Sequence, residues 1–175
     1  ITIEDSAELC LKNIKNLVRL ETRNKNSEGN AAITIRDLIK SALRMRPDRI
    51  IVGEVRSGEA LDMISAMNSG HDGSLSTGHA NSCKDMLKRL ETMILMAVDM
   101  PVAAIRGQIA AGIDLMVHLG RSRDGKRKLL EIQELADYKD GEIILNPIYR
   151  YVRNDGGDSW EKIGEIKNCE KLQRV

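Results

Sequence analysis

Three short apolar runs in this chain end in side chains that can move protons, hold a hydrated cation or meet a phosphate. Ile1-Thr2-Ile3 runs into Glu4-Asp5, Ile50-Ile51-Val52-Gly53 into Glu54-Val55-Arg56, and Ser74-Leu75-Ser76-Thr77 into Gly78-His79. Two carboxylates, a guanidinium and an imidazole brought to one place could hold a hydrated Mg²⁺ and set a water against a phosphate. Mg²⁺ keeps several of its waters and needs only one or two carboxylates. Taken singly, each acidic residue is more simply an ordinary loop carboxylate, and it is the coincidence of three such run ends that raises the chemistry. In open α/β sheets, ligands bind beyond the carboxyl ends of the strands, so the three ends meet only if the runs are neighbouring parallel strands.

The elements between them fit that requirement. Ser6 to Leu11 reads as a short turn or helix, Leu17 to Glu21 as a strand and Asn24 to Asn30 as a polar loop. Thr34 to Arg46 is the strongest helix: Ile35, Leu38, Ile39, Ala42 and Leu43 share one face, Thr34 and Asp37 have capping-box spacing, and Pro47 stops it. Arg49 to Gly53 is a continuous apolar run of the kind that a parallel sheet covers on both faces. A second helix follows, capped by Ser57, burying Leu61, Ile64 and Met67, and closed by Gly70. Ser74 to Thr77 is a third strand candidate, and a helix from about Ser82 to Val98 comes after it. Strand and helix therefore alternate, which predicts an α/β fold with a mostly parallel sheet. The tail differs: Ile113 to Leu119, Leu129 to Leu135 and Ile143 to Val152 read as strands, and Asp124-Gly125 and Asp140-Gly141 as hairpin turns between them.

Composition narrows the function classes. With 27 Lys+Arg against 26 Asp+Glu, the net charge of +1 lacks the excess that a dedicated nucleic-acid binder uses. Aromatic residues are only 2%, too few for base- or sugar-stacking platforms. At 42% hydrophobic and 30% charged, the chain can bury a core, and no run of eighteen apolar residues occurs. Cys10, Cys83 and Cys169 are too scattered for a zinc cage and read as reduced thiols, a usage that suits the cytoplasm. Met86, Met93, Met96 and Met100 read as helix packing, and His118 as a satisfied strand histidine. The basic cluster around Arg121, Arg123, Lys126, Arg127 and Lys128 reads as a solvated turn. The strand-like start at Ile1 suggests a piece of a longer protein, with sheet edge or face left open at Ile1 and Ile3 and self-association through it.

The strings ITIEDSAEL at residues 1–9 and LRMRPDRIIVGEVRSGEALDMISAMNSGHDGSLSTGHANS at residues 43–82 closely resemble the secretion and pilus-motor ATPases. Within these they look most like the CpaF-type ATPases of tight-adherence pili, and the similarity runs to about residue 135. The resemblance implies a partial RecA-like P-loop fold. Residues 1–119 would be a truncated ATPase core and residues 120–175 an antiparallel extension of the same domain. It also implies ATP and Mg²⁺ as cofactors of the parent protein, a hexameric ring, and an inner-membrane platform partner met from the cytoplasm, with no nucleic acid involved. ITIED matches the family's Asp box, making Glu4 the implied general base. IIVGEVR matches its atypical Walker B, making Glu54 the carboxylate that orders Mg²⁺ through water. GSLSTGHANS matches the His box, making His79 a γ-phosphate contact, while His71 resembles an upstream family histidine. Arg19, Arg23, Arg44, Arg46 and Arg56 lie where the family carries arginines near the nucleotide or the subunit interface.

One departure stands out. No Gly-x-x-x-x-Gly-Lys-[Ser/Thr] occurs in the 175 residues, and the only Gly-Lys pair, Gly125-Lys126, falls in a hairpin turn. A phosphate loop works through backbone N–H groups at a helix N-terminus together with a lysine, which the remaining residues do not replace. The expectation is thus a C-terminal portion of an ATPase that is inactive by itself. The competing readings are a non-catalytic docking or regulatory module related to such motors and, more remotely, a RecA-like nucleic-acid translocase.

Overall fold

The computed structural model describes residues 1–25, 31–122, 125–154 and 157–168. Most of the polar loop expected at Asn24 to Asn30 lies outside them, as do Arg123, Asp124 and Cys169. The chain divides into two compact units, residues 1–79 with 92–99 and residues 80–91 with 100–175.

The first unit is built on a parallel sheet of strands β1 (Thr2–Glu4), β2 (Arg19–Glu21), β3 (Ile51–Val52) and β4 (Leu75–Ser76), in the order β2-β1-β3-β4. Thr2 pairs with Arg19 on one side and with Ile51 on the other, so β1 is an interior strand. Ile3 is fully buried there. This corrects the expectation of an open edge or face at Ile1 and Ile3: β2 and β3 already satisfy the hydrogen bonds of β1, and no self-association need follow from that strand.

Helix α1 (Ile35–Arg44) joins β2 to β3 and begins as its sequence requires. The Thr34 side chain accepts from the Asp37 N–H while Asp37 Oδ2 accepts from the Thr34 N–H at 3.0 Å, a reciprocal box worth about 1 kcal/mol. Ile35, Leu38, Ile39 and Ala42 are buried, as the period predicts. Helix α2 (Glu59–Met67) joins β3 to β4, and Arg36 Nε reaches Asp62 Oδ2 at 2.5 Å between the two helices. Ser57 does not cap α2; the cap position is Gly58, and Glu59 Oε1 instead accepts from the N–H groups of Arg56 and Ser57 at 2.6 and 2.8 Å. A Cβ at Gly58 would come within 2.8 Å of the Ala97 Cβ, which accounts for glycine there. Gly70 closes the turn after α2 with φ +85°, as expected. Residues 7–12 form no regular element.

Helix α3 (Cys83–Ala97) runs from the second unit into the first and is followed by α4 (Val102–Gly112), which the sequence reading did not anticipate. Its signal is faint: Pro101 precedes it and Ile105 and Ile109 are buried four residues apart, but Gly107 and several alanines blunt the stripe. Met93 is core, whereas Met96 is exposed, against the expectation that the methionines pack inside. Among the described residues, no single helix is long and apolar enough to cross a membrane.

The second unit carries an antiparallel sheet in the order β5-β6-β7-β8, from β5 (Leu115–Arg121), β6 (Arg127–Lys139), β7 (Glu142–Asn154) and β8 (Gly157–Lys162). Asp140 and Gly141 both take positive φ, +53° and +80°, and make the tight β6–β7 turn that their residue types announce. The last strand, β8, was not expected. Tyr138 Oη donates to the Ala103 carbonyl at 2.6 Å, tying α4 to the sheet.

Glu134 is a buried carboxylate that fastens the segment after β8. Its oxygens accept from the N–H groups of Lys167 and Asn168 and from Asn146 Nδ2, at 2.7–3.0 Å. Burial opposes its charge, but the bonds from Asn146 and the two backbone N–H groups outweigh that and hold the carboxyl below its ordinary value of 4.5. A lowered folded value means the stabilisation is fully present above that pH and is lost as pH falls through the folded value. We therefore expect amide protection of Lys167 and Asn168 to weaken on the acid side of pH 4.5, and Glu134→Gln to flatten that dependence in a hydrogen-exchange series.

Candidate functional site

Because the strands of the first sheet are parallel, residues that follow them emerge at one edge, and the three run ends lie on that edge. Glu54 follows β3, and its Oε1 lies 2.7 Å from His79 Nε2 at the end of the β4 run. Its other oxygen, Oε2, accepts from Arg56 Nε and Nη2 at 2.7 and 2.6 Å. Glu54 is thus a partly sheltered carboxylate between two exposed cationic-capable groups, with side-chain exposures of 19% for Glu54 against 82% for His79 and 67% for Arg56. Thr77 fixes the approach: its Oγ1 donates to the Gly53 carbonyl at 2.6 Å, and its carbonyl accepts from the Val55 N–H at 3.0 Å. The sequence reading took Thr77 only as strand, and its place beside a glycine-ended neighbour run is the signal that would have found it.

Glu4 ends β1, beside Gly53. The Gly53 N–H donates to the Ile3 carbonyl at 2.8 Å, and a Cβ on Gly53 would come within 3.0 Å of Glu4 Cγ, so glycine leaves the room this side chain occupies. Glu4 Oε1 accepts from the N–H groups of Glu8 and Leu9 at 3.0 and 2.9 Å, curling residues 5–9 around the carboxylate. Glu4 is buried.

The arginines divide. Arg56 joins the cluster, and Arg23 lies past the carboxyl end of β2, its backbone bridged to Ile33 and its Nη2 on the Ala31 carbonyl at 3.4 Å. Arg19 is paired with Thr2, at the other end of β1 from Glu4, and its Nη2 bonds the Leu11 carbonyl at 3.1 Å. Arg44 sits in the last turn of α1, a helix that returns from the carboxyl end of β2 to the amino end of β3, and Arg46 follows it with φ +51°. The structure does not bring Arg19, Arg44 or Arg46 to the Glu54 edge. His71 likewise precedes β4, next to Ser69 Oγ at 3.1 Å, on the amino side of the sheet. His118 lies on β5 beside Glu131, with Nδ1 3.7 Å from Oε1.

An oxygen-donor edge with an imidazole and a guanidinium on it, set beyond a parallel α/β sheet, carries groups able to hold a hydrated cation and to meet a phosphate. The profile of the family described as Type II/IV secretion system protein matches residues 1–157, and the chain belongs to that family. A conjugal transfer protein of Mycobacterium tuberculosis strain H37Rv is 42% identical over 159 residues, covering 91% of this chain and 44% of that protein. The type IV secretion system protein VirB11 of Brucella suis is 40% identical over 123 residues, covering 68% of this chain and 34% of the relative. The crystal structure of the Brucella suis VirB11 ATPase, in complex with sulphate, superposes with a TM-score of 0.67 at 36% identity, over 76% of this chain and 39% of that one. The ATPase DotB of Legionella pneumophila shares the fold, with a TM-score of 0.51 at 21% identity over 76% of this chain and 36% of that one. The architecture is that of the RecA-like P-loop proteins, and the comparisons show homology to secretion ATPases as a class without singling out one branch. It spans less than half the length of these relatives.

Proposed function

We propose that this chain is the C-terminal part of an ATP-hydrolysing motor domain, which in the whole protein powers filament assembly or protein export. The observation that carries the reading is the meeting of Glu54 with His79 and Arg56 at the edge where Glu4 also ends its strand. In this reading Glu54 would hold hydrated Mg²⁺, which suits a hard oxygen donor and a cation that keeps its waters. Mg-ATP, when bound, supplies the phosphoanhydride and the divalent charge. Glu4 orients and deprotonates the attacking water: its Oε1 is committed to Glu8 and Leu9, which aims the carboxylate and leaves Oε2 for the proton. His79 reads the terminal phosphate, and of the five arginines that the resemblance singles out, Arg56 and Arg23 are those on the same side of the sheet. Arg19 and Arg44, placed away from it, fit contacts between copies in a hexameric ring. The motif strings favour the tight-adherence branch, and the ring would work at the cytoplasmic face of the inner membrane on a platform protein, without nucleic acid.

No phosphate-loop motif occurs in the 175 residues, so calorimetric titration of this chain with Mg-ATP is expected to show no saturable binding in the micromolar range and no turnover. Micromolar affinity would show that the remaining boxes suffice for binding. A nucleotide-free docking module, the second reading, would keep its fold and lose nothing when a phosphate loop is absent. A longer form of the protein that carries the loop but fails to hydrolyse ATP would favour it.

A further inference from the structure

Helix α2 begins at Glu59, and amide groups of its first turn are answered by carbonyls just before it: the Ala60 N–H donates to the Ser57 carbonyl at 3.1 Å and the Leu61 N–H to the Gly58 carbonyl at 3.2 Å. The Glu59 carboxylate serves a different stretch. Its Oε1 reaches back out of the helix and accepts from the N–H groups of Arg56 and Ser57, at 2.6 and 2.8 Å. Both amides belong to the turn that leaves β3, so these bonds hold the turn. A carboxylate suits the place, because the start of a helix favours negative charge.

That turn presents both Glu54 and Arg56. Its entry is pinned by Thr77, whose Oγ1 donates to the Gly53 carbonyl and whose own carbonyl accepts from the N–H of the buried Val55. Its far end is fitted closely to α3, since a Cβ on Gly58 would come within 2.8 Å of the Ala97 Cβ. Between these points Arg56 sends its side chain outward, where packing does not fix it. Several carboxylates draw on that guanidinium: the bonds and charge of Glu54 act most strongly to hold its pKa above the ordinary arginine value, and Asp5 and Glu8 add to the same field. Which of them it meets depends on how its backbone is held. We propose that Glu59 is a positioning residue for Arg56: by fixing the N–H groups of residues 56 and 57 it aims the guanidinium at Glu54 Oε2 and leaves Oε1 to His79. The proposal rests on the reading of Glu54 and Arg56 as groups of the phosphate site, and it adds a carboxylate that acts on that site from behind, through the turn.

The test uses the 175-residue chain without nucleotide and reads the Arg56 Nε–H resonance together with amide exchange at Arg56 and Ser57. Amide protection at Ile39 in α1 and Ile64 in α2, two fully buried residues, reports that the first unit is native. Glu59→Ala should speed exchange at both turn amides about tenfold and move the Arg56 resonance toward its position in Glu54→Ala, where its carboxylate partner is gone. Glu59→Gln keeps an oxygen that can accept from the turn and should restore both signals. Faster exchange with an unmoved Arg56 resonance would reduce Glu59 to a fastener of the turn and overturn the proposal. A Glu59→Gln chain that behaves like Glu59→Ala would trace the effect to charge instead of the two bonds, and overturn it as well. If Glu59→Ala loses protection at Ile64, Glu59→Asp decides, because it keeps the negative charge at the helix start on a shorter side chain: an Arg56 shift toward the Glu54→Ala position supports positioning, and none overturns it. No turnover is read, so a failed ATPase assignment and a failed positioning role give separate results.

Discussion

Glutamine at position 54 should abolish most turnover in a form of the protein that carries a phosphate loop, lowering kcat by about 10²-fold or more while leaving the fold intact. Glu54 stands between His79, 2.7 Å from Oε1, and Arg56, on Oε2, so its negative charge is what those two groups share. Glutamine has the same shape and still offers one oxygen to Arg56, but it removes the charge that, in the proposed role, would order the cation's waters, and it weakens the hold on the imidazole. The loss should fall on kcat more than on KM, because the charge matters most where charge develops in the transition state. Steady-state kinetics with a thermal melt as control checks it. Wild-type kcat in a natively melting variant would remove the role assigned to Glu54.

Glu4→Gln should cost a similar factor, about 10² to 10⁴, by a different route. The glutamine oxygen can still accept from the Glu8 and Leu9 N–H groups, so the curl of residues 5–9 survives, but the side chain can no longer take a proton. Glu4→Ala separates structure from chemistry: it strands both N–H groups and leaves a hole beside Gly53, and should destabilise by about 1–3 kcal/mol in addition to stopping turnover. A Glu4→Gln variant of normal stability and normal kcat would contradict the general-base assignment.

The parts of this molecule that depend on local chemistry were legible in the residues. The Thr34–Asp37 box starts α1 where the spacing says, Asp140-Gly141 turns β6 into β7, and the parallel sheet follows from apolar runs alternating with helices. That parallelism places Glu4, Glu54 and His79 at strand ends on one edge, as three similar run endings suggest. What sequence could not supply is decided by partners distant along the chain. Helix α4 owes its place to two buried isoleucines and to Tyr138 across 35 residues, not to a strong stripe of its own. Ser57 has the right type for a cap, yet Glu59 supplies the oxygen because its side chain folds back over the turn. Arg44 shares a motif string with Glu54, but a helix that reverses direction between parallel strands delivers its last turn to the other edge. The openness expected at Ile1 and Ile3 failed for a related reason, since β2 and β3 are recruited from residues 19–21 and 51–52 to flank β1.

The three histidines stand at separate places: His79 on Glu54, His71 beside Ser69 on the amino side of the parallel sheet, and His118 next to Glu131 on β5. Their imidazole resonances, followed at constant pH while Mg-ADP is added to the loop-bearing protein, test directly whether the carboxyl edge of the parallel sheet is the nucleotide site. His79 should shift and broaden as the site fills, while His71 keeps its resonance. A saturable response at His71 with His79 unmoved would place the nucleotide on the opposite side of the sheet and contradict the assignment of Glu4, Glu54 and His79.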